Sequence, residues 1–116
     1  METKDLPQGI VGFKFANALV RRDFDEAWSM LCTELRLECT TSGLKERYES
    51  MISYAQPERP PDVEVLDNSE VGLGELDARG WVYVALIGDG WSEAVTVTVE
   101  TIGSGHVITE LTWGRP

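Results

Sequence analysis

The sequence predicts an α+β fold in which N-terminal helices pack on a curved antiparallel sheet. Two observations support this prediction. Apolar residues recur at helical spacing as far as Ala55, and beyond Pro57, Pro60 and Pro61 the apolar period changes to two, which is typical of strands. The chain has 116 residues and a hydrophobic content of 42%, enough for one core, so we expect a single domain spanning residues 1–116.

The first predicted helix runs from about Pro7 to Arg22, because proline is tolerated in a first helical turn and the stretch has no other breaker except the early glycines Gly9 and Gly12. Its apolar residues are Ile10, Val11, Phe13, Phe15, Ala18, Leu19 and Val20. They cover more than one stripe of the helix, which indicates a helix enclosed by a sheet.

Two further helices are predicted. Asp23 is placed to cap the second helix, with Glu26 completing a reciprocal capping box. Its apolar residues Trp28, Leu31, Cys32 and Leu35 follow at i, i+3, i+4 and i+7. The third helix begins after Thr41 or Ser42. Its inward residues are Leu44, Tyr48, Met51, Ile52 and Ala55.

Strands are predicted at residues 62–67, 71–76, 81–87, 91–102 and 106–113. The 71–76 segment is the weakest of these, because its two glycines also suit a loop. Strand 81–87, WVYVALI, is apolar on both faces, so something should cover its second face. We therefore expect a homodimer through the outer face of the sheet, unless Thr96, Thr98 and Glu100 make that face polar enough for a monomer.

The charge balance limits the classes of ligand. Twenty acidic against ten basic residues give a net charge of −10, which repels nucleic acid and anionic lipid headgroups. The N-terminus lacks the pattern of a signal peptide and no apolar run reaches the length of a membrane span, so we expect a cytoplasmic protein. Cys32 and Cys39 form no CxxC pair and are expected to be buried free thiols. We predict neither a metal site nor a cofactor.

Three residues are candidates for catalysis: Glu110, Tyr48 and His106. His106 is the only histidine and follows a Gly-Ser-Gly turn, where a solvated strand end is expected. The two faces of the last strand carry His106, Ile108, Glu110 and Thr112 on one side and Val107, Leu111 and Trp113 on the other. If the first face points inward, apolar surroundings would raise the pKa of the Glu110 carboxyl and suit it to proton transfer. If the second points inward, Glu110 is exposed.

The tyrosines and Trp28 are candidates for lining a ligand pocket. Tyr48 falls on the inward stripe of the third helix, Tyr83 lies on the central strand, and Trp28 lies on the second helix. Each has an alternative interpretation as core, with any polar atom bonded to water or a backbone carbonyl.

Two stretches resemble the NTF2-like superfamily, the cone-shaped α+β fold that includes ketosteroid isomerase and the polyketide cyclases. They are FANALVRRDFDEAWSML (residues 15–31), in which Phe24, Ala27 and Trp28 match, and the closing TELTWGRP (residues 109–116). The resemblance implies a curved sheet with helices around a pocket, and a homodimer formed through the sheet. It supplies no catalytic set for this chain, because fold alone does not carry function.

Three hypotheses for the function follow. The first is a non-catalytic module of this fold that binds a small apolar ligand or a protein partner. The second is a small-molecule isomerase, dehydratase, hydrolase or cyclase that uses Glu110 as a base and Tyr48 to steady an oxyanion. The third is an acidic inhibitor, such as an immunity protein, that blocks a basic partner by charge complementarity. Whether the chain is an enzyme at all stays open at this point.

Overall fold

The computed structural model describes residues 3–66 and 80–114. A 3-10 turn at Thr3–Asp5 precedes four helices: α1 (Pro7–Val20), α2 (Phe24–Ser29), α3 (Thr33–Glu38) and α4 (Thr41–Ile52). A second 3-10 turn, Ser53–Ala55, leads to four strands: β1 (Asp62–Val65), β2 (Trp81–Ile87), β3 (Ser92–Ile102) and β4 (Gly105–Trp113). The predicted α+β class is confirmed, and the predicted strand 71–76 lies outside the described residues.

The four strands form an antiparallel, curved sheet in the order β1-β2-β3-β4. One face carries the valines of β2 and β3 into the core beneath the helices. We call the opposite face the outer face. Its residues are Asp62 and Glu64 on β1, Trp81, Tyr83, Ala85 and Ile87 on β2, Ser92, Ala94, Thr96, Thr98 and Glu100 on β3, and Val107, Glu110 and Thr112 on β4.

Helix α1 crosses the helix-facing side of the sheet and contacts all four strands. The crossing is close at Gly12, because a Cβ atom built there would lie 3.0 Å from a methyl group of Val82 and 3.2 Å from one of Val84. The expectation that the sheet encloses the whole apolar face of α1 holds only in part. Ile10 and Phe13, on the side away from the strands, keep 45% and 43% of their surface exposed.

The second predicted helix is wrong as a continuous element, since the chain leaves the helix at Met30 and starts α3 at Thr33. Leu31 forms a parallel bridge with Ile108 of β4, and the Cys32 amide donates to the Ile108 carbonyl at 2.8 Å. The Arg36 guanidinium then donates to the carbonyl oxygens of Leu31 and Ser29. Because β4 satisfies the backbone groups that a helix would have paired, the break places Leu31 in the core at little cost.

Helix α1 ends two residues earlier than expected. The Arg22 amide donates to the Leu19 carbonyl and the Asp23 amide to the Ala18 carbonyl at 2.8 Å, the paired bonds of a Schellman motif. The motif needs a left-handed residue, and Arg22 takes that place with φ of 63°. Asp23 then caps α2 as predicted by accepting from the Glu26 amide at 3.2 Å, whereas the Glu26 carboxylate pairs with Arg21.

The space between the helices and the sheet is filled by large apolar side chains. The fully buried ones are Phe15, Leu19, Leu31, Leu44, Leu86, Ile108, Val82, Val84, Val95 and Val97. Tyr48 and Ile52 bring α4 into the same cluster. Side chains from α1, from α4 and from the strands therefore share one core.

Candidate functional site

Glu110 lies on the outer face, opposite Thr98, and is exposed. The pairing of β3 with β4 shifts register between Thr98 and Val99, so that Thr109 is an extra residue in β4. This β-bulge breaks strict alternation, because Ile108 and Leu111 both contact the core. The carboxylate of Glu110 is therefore in solvent, and the apolar surroundings that would suit it to proton transfer are not present around it.

His106 is exposed at the beginning of β4. Its Nδ1 atom lies 3.0 Å from the Thr101 hydroxyl oxygen on the neighbouring strand. This contact ties the ring to the β3-β4 hairpin, which is far from Glu110 along the strand. The two candidates do not form a catalytic pair.

Tyr48 is 2% exposed, on the inward side of α4 as predicted. Its ring lies 6.3 Å from that of Phe24, centroid to centroid. Burial raises the pKa of the Tyr48 hydroxyl above its usual value, and the positive charge of Arg22 offsets part of this rise. Within the part of the chain that the structure describes, that hydroxyl forms no hydrogen bond.

An open groove of about 190 Å³ lies beside Tyr48, between the end of α1, α4 and the segment 57–61. We call it the proline groove. Its lining includes Pro57, Pro60, Pro61, Val20, Ile52 and Tyr48, with Arg22, Glu58 and Arg59 at its rim. The apolar walls and the two guanidinium groups make it a candidate binding site.

Trp28 and Tyr83 lie elsewhere. The Trp28 indole Nε1 donates to the Cys39 carbonyl at 2.9 Å, and the Arg36 guanidinium lies 5.0 Å from the centre of the ring system. Half-buried Trp28 thus fixes the segment after α3 to α2. Tyr83 is 8% exposed on the outer face, so the sheet separates it from Tyr48. Tyr48 and Trp28 share the core beneath the helices, whereas Tyr83 lies on the opposite side of the sheet.

Neither cysteine is fully buried, although both are free thiols as expected. Burial raises the pKa of the Cys39 thiol, and the charge of Arg47 counteracts part of the rise. The residues described contain no group of three His, Cys, Asp or Glu side chains that could hold a metal ion. No helix in the described ranges is long and apolar enough to cross a membrane.

The distribution of charge separates the two sides of the molecule. The described chain has eight Lys and Arg residues, and all of them precede β1. The four strands carry Asp62, Glu64, Glu93, Glu100 and Glu110 and no Lys or Arg. All of these except Glu93 belong to the outer face and are exposed. Arg79 and Arg115 lie outside the described residues.

The sequence contained a signal for this asymmetry that its analysis missed. Counting charges separately shows ten acidic and eight basic residues in the helical half, residues 1–61, against ten acidic residues and two basic ones, Arg79 and Arg115, in residues 62–116. The proline groove had no such signal, because it brings together residues from α1, α4 and a loop.

Comparison with known proteins gives no further assignment: no protein-family model, no curated protein and no solved structure matches this chain.

Proposed function

We propose that this chain is a non-catalytic protein-interaction module, built as an NTF2-like cone, whose outer face docks on a basic surface of a partner protein. The observation that carries this proposal is the outer face itself, with four exposed carboxylates and no Lys or Arg on any strand. The α+β architecture with its curved antiparallel sheet is compatible with the NTF2-like cone.

The arrangement of the outer face suits docking. Asp62 and Glu64 lie on the edge strand β1, and Glu100 and Glu110 lie on β3 and β4. Between them, Tyr83, Ala85 and Ala94 are buried within the single chain, and Thr96 and Thr98 are half-buried, so the exposed carboxylates are the part of the face that a partner can reach. Exposed charges of one sign direct the encounter with an oppositely charged partner and exclude wrong partners.

The same face disfavours catalysis by Glu110 and self-association through the sheet. An enzyme that used Glu110 as a base would need the carboxylate inside the cone, and it is outside. A homodimer through the sheet stays a prediction, but Tyr83 and Ala85 are each only 8% exposed in the single chain. Self-association would also bring two copies of the four carboxylates together, and like charges facing each other at an interface cost affinity.

The test compares two triple variants with the same net charge. One, Glu64→Gln/Glu100→Gln/Glu110→Gln, neutralises the outer face. The control, Glu34→Gln/Glu38→Gln/Glu46→Gln, neutralises three exposed carboxylates of α3 and α4. The probe is lysozyme, a folded basic protein, with binding measured at low salt by isothermal titration calorimetry and mapped by amide NMR shifts.

We expect the outer-face variant to bind about tenfold more weakly, since three exposed charge pairs contribute roughly 0.5 kcal/mol each. The control variant should lose less than half as much binding free energy as the outer-face variant. The amides whose NMR shifts change should lie on β1 to β4. Equal losses in the two variants, or perturbations confined to the helices, would refute docking through the outer face. Sedimentation of the chain alone gives the oligomeric state, and a mass of twice 12.9 kDa would favour the homodimer instead.

A further inference from the structure

Arg22 occupies a backbone position that normally belongs to glycine. Its φ of 63° is the left-handed conformation of the Schellman motif that ends α1. A side chain at this position costs conformational energy that glycine would not, and such strain is found where the side chain itself has a role. The guanidinium lines the proline groove, where Nη2 pairs with Glu49 and the Phe24 ring centre lies 5.7 Å from Cζ, while Nε and Nη1 form no hydrogen bond in the described structure.

The Tyr48 hydroxyl gives an independent reason to expect a ligand. The residue is 2% exposed and lines the same groove, yet its hydroxyl has no hydrogen-bond partner among the described residues. Arg22 lines the same groove as Tyr48. Buried polar groups in folded proteins are almost always paired, so this hydroxyl can donate to an acceptor that enters the groove, either water or a ligand.

The groove itself limits the class of ligand. Its volume of about 190 Å³ is below the usual range for drug-sized ligands, so it suits a molecule of one ring or a short chain. Pro57, Pro61 and Ile52 provide apolar walls. Tyr48, Arg22 and Arg59 all present donors, so the polar end of the ligand must accept hydrogen bonds. The nearby carboxylates Glu49 and Glu58 favour a monoanion over a dianion such as phosphate.

We propose that the proline groove binds a small monocarboxylate with an apolar body, with a carboxylate oxygen accepting from the Tyr48 hydroxyl and the Arg22 guanidinium. Arg59, which forms no ion pair with the described residues, is exposed at the rim and adds a second positive charge. The apolar part of the ligand lies against the prolines. This site is separate from the outer face and does not depend on the function proposed for that face.

The experiment uses the full chain, with benzoate as the probe and benzamide as its neutral counterpart of the same shape. Amide NMR spectra are recorded during titration with benzoate, benzamide and inorganic phosphate. We expect benzoate to bind with a dissociation constant on the order of 1 mM, as suits a ligand of this size, and to shift the amides of residues 20–22, 48–52 and 58–59. Benzamide and phosphate should bind at least about tenfold more weakly.

Four variants separate binding from folding. Tyr48→Phe removes the hydroxyl but keeps the ring, and Arg22→Gly removes the guanidinium while accepting the left-handed backbone. Each should weaken benzoate binding about tenfold with an unchanged or raised urea midpoint, since an unpaired hydroxyl and a strained residue are removed. Arg21→Ala is the control, because Arg21 pairs with Glu26 outside the groove, and it should bind as the parent does. Glu58→Gln removes a repelling charge and should tighten binding roughly twofold.

Several results would overturn the proposal. Absence of saturable benzoate shifts near α4 would do so, as would equal affinity for benzamide or tighter binding of phosphate. Unchanged benzoate affinity in both Tyr48→Phe and Arg22→Gly would show that the two donors do not contact the carboxylate. The outer-face triple variant should bind benzoate normally, so failure of one proposal leaves the other intact.

Discussion

The substitution Gly12→Ala tests the crossing of α1 over the sheet, on which the fold depends. In an unhindered helix interior, replacing glycine by alanine raises the free energy of unfolding by about 1 kcal/mol. At Gly12 the added methyl would meet side-chain atoms of Val82, Val84 and Val97 at 3.0, 3.2 and 3.3 Å. Normal carbon contacts lie at roughly 3.5 to 4.0 Å, so at least one neighbour must move.

The three valines have little freedom to move, because each is fully buried and has a stiff branched side chain on a paired strand. Overpacking of this kind costs about 1 to 3 kcal/mol, which exceeds the gain in helix propensity. We therefore expect Gly12→Ala to lower the free energy of unfolding by about 1 kcal/mol. Urea denaturation, monitored by tryptophan fluorescence, measures this change in the free energy of unfolding.

Gly43→Ala in α4 is the matched control. There the added Cβ lies 3.4 Å from the Thr40 hydroxyl oxygen and 3.7 Å from the Cys39 sulfur, which leaves room for it. We expect this variant to be more stable by about 0.5 kcal/mol, because the position is in the first helical turn. A Gly12→Ala variant as stable as Gly43→Ala would refute the close crossing. The double variant Gly12→Ala/Val82→Ala should lose less free energy of unfolding than the sum of the losses in the two single variants, because the space left by the shortened Val82 side chain accepts the added methyl group.

Two further predictions concern side chains near α3. Trp28→Phe should lower the free energy of unfolding by about 1 kcal/mol, because it leaves the half-buried Cys39 carbonyl without its donor. Trp28→Ala should lower the free energy of unfolding by about 3 kcal/mol, near the lower end for large core truncations. Denaturant midpoints close to that of the parent would contradict both predictions. The raised pKa of the Cys39 thiol reduces its thiolate fraction near neutral pH, so iodoacetamide should alkylate it more slowly than free cysteine and the pH midpoint of the rate should be higher. Mass spectrometry of the Cys39 peptide across a pH series checks this, and a midpoint at or below that of free cysteine would contradict it.

Local patterns predicted the elements that local interactions determine. Pro7 begins α1, Asp23 caps α2, and WVYVALI forms β2 with the predicted bounds. In each case the deciding interaction is within one turn or one strand, so a short stretch of sequence contains it. Helix α4 begins at Thr41 with Thr40 as its cap, one residue before the expected caps. Thr40, Thr41 and Ser42 can all cap a helix, so the sequence does not decide among them.

The break between α2 and α3 could not be predicted in this way. The spacing of Trp28, Leu31 and Leu35 is helical, and only the bridge from Leu31 to Ile108 explains why the helix stops. The two residues are far apart in the sequence, so the residues around Leu31 do not indicate that it pairs with Ile108. The same limit applies to the proline groove, because Tyr48 and Arg22 were each visible in the sequence but their proximity was not.

Sequence alternation left two orientations of the last strand open, and the bulge at Thr109 explains why neither describes it fully. Strict alternation puts Ile108 and Glu110 on one face, so burial of Ile108 would carry a carboxylate into the core. The extra residue separates them, and Ile108 is fully buried while Glu110 is exposed opposite Thr98. An unpaired buried carboxylate would be costly, which gives a physical reason for the bulge. The same extra residue that keeps the Glu110 carboxylate out of the core therefore also places it on the acidic outer face, so its exposure and its position on the proposed docking surface have one structural cause.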